Sequence, residues 1–115
     1  LPVIKVWCLP EQSENELRKI HQKIVKAVNS LKIPELQGKE SILLLFPKDM
    51  MAYGLGSEIL IEVGGFPPPG YNDQTKSQLA HELGLTLKQF FPNAFVQCIV
   101  HSFERWDHVV WSSEK

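Results

Sequence analysis

Apolar residues recur at helical spacing in two separate stretches, and each stretch stands between two short runs suited to strands. Residues 2–9, Pro-Val-Ile-Lys-Val-Trp-Cys-Leu, are rich in β-branched and aromatic side chains and stop at Pro10. Ser13 is followed three positions later by Glu16, the signature of a capping box. Behind it Leu17, Ile20, Ile24, Ala27, Val28 and Leu31 share one face. The pattern predicts a helix from Glu14 to Leu31 that stops near Pro34. Ile42 to Phe46 is wholly apolar, as in a strand covered on both faces. Glu58 to Val63 predicts a third strand, and Gly64 to Gly70, with three prolines, a stiff loop. Asn72 or Asp73 is suited to cap a second helix, with Leu79, Leu83, Leu87 and Phe90 on its inner face; Gly84 is expected to end its first half. Pro92 stops it. Ala94 to Phe103 predicts a fourth strand, followed by a short tail.

The order is β-α-β, then β-α-β again, in one domain spanning residues 1–115. Each helix is long enough for a right-handed crossover between parallel strands. The expected class is α+β: a four-stranded mixed sheet with two helices on one face. Two helices cover only one face of such a sheet. With residues 42–46 apolar on both sides, the other face would be an exposed apolar patch, so the pattern predicts an oligomer that buries it. A ferredoxin-like domain has the same element order with an antiparallel sheet, and would bind a small ligand or partner chain. The apolar strands argue against it.

Charge and motifs remove several functions. Lys+Arg total 12 against Asp+Glu 13, a net charge of −1, which disfavours a strongly basic nucleic-acid binder. No apolar run approaches the roughly 20 residues that span a bilayer. No signal-peptide pattern is visible, and two cysteines make no disulfide framework. The expectation is a cytoplasmic domain with neither nucleic-acid nor membrane partners. His21, His81, His101 and His108 have no metal-like spacing, so no metal is expected. His21 and His81 fall on solvated helix faces; His101 and His108 flank the end of the fourth strand. There is no Gly-rich phosphate loop and no Gly-x-Ser-x-Gly. Cys8 and Cys98 lie within apolar strands and read as inert thiols.

Pro2 remains. Proline is tolerated at the first residue of a strand. A proline at the chain terminus is also a secondary amine. Desolvation or a nearby cation lowers such an amine's proton affinity toward neutrality, where a general base works well.

The segment Pro47-Lys48-Asp49-Met50-Met51-Ala52-Tyr53-Gly54, then Ser57-Glu58, is similar to the strand-two exit of macrophage migration inhibitory factor and its relatives. There a proline and three variable residues precede Met-Ala-Phe-Gly and a nearby Ser-Glu. With Pro2 and the Val109-Val110-Trp111 tail, the chain resembles the tautomerase superfamily, which also includes 5-carboxymethyl-2-hydroxymuconate isomerase. The resemblance covers nearly the whole chain in element order.

It implies a homotrimer whose sheets wrap into a barrel with helices outside, the tail pairing with a neighbour. It also implies a cofactor-independent keto–enol tautomerase or isomerase acting on a small carbonyl or enol substrate, such as a 2-oxo acid. Pro2 would be the general base and Lys32 the pocket lysine. Trp111 would be the tail aromatic that lines the pocket, with Val109 before it. Lys39 and Arg105 are further candidates for holding a carboxylate, and Phe95 and Trp106 for the apolar wall. Arg18 reads as a solvated charge. The superfamily's fourth-strand tyrosine and asparagine are replaced, with Val96 and Cys98 the nearest positions. While Leu1 is attached, the Pro2 nitrogen is a tertiary amide without a basic lone pair, so the mechanism needs Leu1 removed. A non-enzymatic protein of the same fold is the alternative.

Overall fold

The computed structural model describes residues 3–32, 42–51, 57–66 and 73–102. Six elements follow in order: β1 (Val3–Trp7), α1 (Glu14–Ser30), β2 (Leu43–Leu45), β3 (Glu58–Phe66), α2 (Asp73–Phe90) and β4 (Phe95–Ser102). The strands form one sheet in the order β2-β1-β3-β4. β1 and β2 are parallel, β3 and β4 are parallel, and the two pairs meet antiparallel at β1 and β3. Each β-α-β unit therefore makes its crossover within its own half. The parallel outer pairs exclude the ferredoxin-like alternative.

α1 starts where its sequence says. The Ser13 side chain accepts from the Glu16 backbone N–H, and the Glu16 carboxylate accepts from the Ser13 N–H, which satisfies two orphan donors. Those bonds stabilise the ionised Glu16 and hold its carboxyl below the ordinary value. The opposite, exposed side of the helix carries Arg18, paired to Glu14 at 2.7 Å.

The core lies between the helices and one sheet face. Ile20, Ile24 and Val28 of α1 and Leu79, Leu83 and Leu87 of α2 are buried against Ile4, Val6, Ile59, Ile61 and Val63. α2 runs unbroken through Gly84, contrary to the break expected there. Leu83 and Leu87 are fully buried on either side of it, and that burial outweighs the roughly 1 kcal/mol that glycine costs a helix. A Cβ at Gly84 would meet nothing within 4 Å. Gly84→Ala is accordingly expected to stabilise the protein by about 0.5–1 kcal/mol, read as a higher denaturant midpoint at unchanged slope. After α2, the Lys88 ammonium donates to the carbonyls of Pro92 and Ala94 at 2.7 Å each, fixing the turn into β4.

The other sheet face has no helix on it. Leu43, Leu45, Phe95 and Ile99 are exposed there. The face is less uniform than the sequence suggests, because Glu58 and Glu62 of β3 alternate outward between the buried isoleucines, beside Lys5, Gln97 and His101. Among the described residues, no helix is long and apolar enough to cross a membrane.

Candidate functional site

Strand register sorts the candidate residues between the two ends of the sheet. Val3 pairs with Leu43 at the start of β2 and with Gly64 near the end of β3, while Val63 pairs with Val100 near the end of β4. These positions form one end of the sheet, next in sequence to Pro2. α1 follows β1 and runs back along it for 17 residues, about 25 Å, so Lys32 emerges at that same end. Lys32 is exposed and holds a left-handed backbone, φ 54°. Its N–H donates to the Asn29 carbonyl at 3.1 Å, closing the last turn. Glycine is the residue usually found in that conformation after a helix.

Phe95 sits at the opposite end. It pairs with Glu58, and Glu58 and Gly64 lie six residues apart on β3, about 20 Å of extended chain. Within one chain, then, Phe95 does not approach the start of β1. It faces the helix-free side of the sheet and is 60% exposed. The fourth-strand positions divide between the two faces of the sheet. Val96 and Cys98 pair with the buried Ile59 and Ile61 and pack toward the helices, whereas Phe95 and Gln97 face the open side. Pro2, Lys39, Arg105, Trp106, Val109 and Trp111, together with His108, lie outside the described residues.

At the Pro2 end, the open face carries a charged group that the sequence alone did not reveal. Glu62 stands directly opposite Lys5 across the β1–β3 pairing. One Glu62 oxygen accepts the Trp7 indole N–H at 2.7 Å, and the other lies 3.2 Å from His101 Nε2. Val3, Lys5, Glu62, Gly64 and His101 line a cavity of about 200 Å³. Of these, the sequence singles out only His101, as a residue that flanks the end of the fourth strand. Lys5 and Glu62 become neighbours through a pairing of distant strands, and no local motif carries that signal.

The other end holds a larger cavity of about 390 Å³ between the exits of β1 and β2 and the start of α1. Cys8 borders it. Cys8 lies one residue beyond β1, half-buried, with φ 70°, so it is not the in-strand core thiol expected. Burial, then the charges of Asp49 and Glu58, push its thiol pKa up. Cys98 is pushed up to about 12 by burial. Both remain thiols at neutral pH, which disfavours a thiolate nucleophile. Among the described residues, no group of three His, Cys, Asp or Glu side chains converges as a metal site.

No family profile and no curated protein matches the sequence. Solved structures do match. Native fused 4-OT superposes with a TM-score of 0.72 over 94% of this chain and 91% of its own, at 16% identity. The chain has the fold of fused 4-OT. N1, a member of the cis-3-chloroacrylic acid dehalogenase family, shares it with a TM-score of 0.69, 10% identity and coverage of 96% and 81%. So does a protein solved after inactivation by 2-oxo-3-pentynoate, with a TM-score of 0.70, 13% identity and coverage of 94% and 91%. The likeness covers 94–96% of this chain, so both β-α-β halves belong to the match.

Proposed function

We propose that the protein is a cofactor-independent tautomerase acting on a small carbonyl or enol substrate of the 2-oxo acid class, with Pro2 as general base. The observation that carries this reading is the combination of the tautomerase fold with a proline adjoining the first described residue of β1. Pro2, freed of Leu1, takes a proton from carbon beside the carbonyl or from the enol hydroxyl. It returns the proton elsewhere on the conjugated system. Lys32, at the same end of the sheet, holds the substrate carboxylate and stabilises developing negative charge, with Lys39 or Arg105 as further cations. Val109, Trp106 and Trp111 supply apolar wall that keeps the amine neutral.

Phe95 joins that wall only from a second copy, which fits a homotrimer with the open sheet faces turned inward. Fused 4-OT has been solved as symmetric and asymmetric trimers. The test is modification of the trimmed and untrimmed chains by an electrophilic 2-oxo acid, located by peptide mapping. Modification at Pro2 of the trimmed chain alone is the expected result.

Lys32 offers a second test. Relief of its left-handed backbone should make Lys32→Gly about 1 kcal/mol more stable. Loss of its charge should lower kcat/KM for a 2-oxo acid at least about tenfold. Gain of stability with unchanged turnover would remove Lys32 from the site.

The non-enzymatic reading is motivated by the replaced fourth-strand tyrosine and asparagine together with Leu1 in front of Pro2. It predicts assembly without turnover even after Leu1 is removed.

A further inference from the structure

We infer that the open face of the sheet carries a binding site for a small carboxylate, with Lys5 as its counter-charge and the space over Gly64 as its seat. Three observations lead to it. First, Lys5 is half-buried and makes no ion pair or hydrogen bond among the described residues, although it faces Glu62 across the strand pairing. Glu62 is already engaged at both oxygens, by Trp7 at 2.7 Å and by His101 at 3.2 Å. The carboxylate that should neutralise Lys5 is thus turned to other donors. An ammonium withdrawn from water without a partner is unfavourable, and an incoming carboxylate removes that cost.

Second, Lys5 lines the cavity of about 200 Å³ that it shares with Val3, Glu62, Gly64 and His101, enough for a ligand of a few heavy atoms. Third, Gly64 lies in the stretch between Val63 and Phe66 where the β3–β4 register shifts, yet neither its neighbours nor a positive φ requires it to be glycine. A Cβ there would meet nothing within 4 Å, in a strand where glycine is ordinarily a weak choice. What a side chain at 64 would take away is the space beside Lys5. Glu62 acts as the positioning residue: clamped between indole and imidazole, it leaves the Lys5 ammonium free for another anion.

The site lies at the Pro2 end of the sheet, on the face that the proposed homotrimer turns inward, but it does not use the Pro2 amine. It is therefore tested on the full chain with Leu1 retained, where Pro2 is an amide. Pyruvate is titrated into isotopically labelled protein while the Gly64 amide and the His101 ring are followed by NMR, with pyruvamide as the uncharged control. Saturable shifts at both positions with pyruvate, absent with pyruvamide, are expected. Lys5→Gln should weaken binding at least about tenfold, the equivalent of one charge-assisted hydrogen bond. Gly64→Val, which fills the space with a good strand residue, should abolish it while the thermal midpoint holds. Non-saturable shifts, equal response to pyruvamide, or unchanged affinity in Lys5→Gln would each overturn the inference. Should Gly64→Val fail to fold, Lys5→Gln alone decides.

Discussion

Removing Leu1, so that Pro2 becomes the amino terminus, is expected to convert an inactive chain into an active one. With Leu1 in place, the proline nitrogen shares its lone pair with a carbonyl, and no base exists at that position. The trimmed chain presents a secondary amine. Where apolar walls and cations keep such an amine neutral, it accepts a proton near neutral pH. Pro2→Gly on the trimmed chain should lower kcat/KM for keto–enol conversion of a 2-oxo acid by about 10²- to 10⁴-fold, the span usual for one positioned general base. Glycine still offers a primary amine at the terminus, so residual turnover is expected. Activity should rise with pH as the amine loses its proton, because the base works only in the neutral form. Should the trimmed chain assemble yet neither turn over substrate nor react at Pro2, the fold is being used without its chemistry.

The elements were legible because they are local. The α1 start follows from Ser13 and Glu16, and its end lies one residue from the expected Leu31. Both parallel crossovers follow from helix length and strand order. What escaped the sequence depends on distance. Trp7 and Glu62 are 55 positions apart and His101 and Glu62 are 39 apart, so no motif announces their meeting. Which way β4 faces is a matter of register: a shift of one residue exchanges Val96 and Cys98 for Phe95 and Gln97. Gly84 misleads for a different reason. Its propensity is a local term near 1 kcal/mol, and the burial of neighbouring leucines is a larger, tertiary one.

Two isoleucines on opposite faces of the sheet separate the stability of the chain from that of its assembly. Ile61 is fully buried on β3, flanked by Val6 of β1 and Cys98 of β4. Ile61→Ala removes three carbons from the layer shared by both helices and leaves a cavity, at an expected cost of about 3–4 kcal/mol. Set against a typical total of about 5–15 kcal/mol, that loss should be plain in a denaturant midpoint, whatever the protein concentration. Ile99, one residue beyond Cys98, points the other way and is 43% exposed. For an isolated chain, Ile99→Ala should cost about 1 kcal/mol or less, since little apolar surface leaves water on folding. If copies of the chain close over this face, Ile99 becomes core in the assembly. Its substitution then lowers the midpoint in a concentration-dependent manner and weakens association in sedimentation. A small, concentration-independent loss at Ile99 would mean that the open face stays in water, and that Phe95 never reaches the end of the sheet where Pro2 begins.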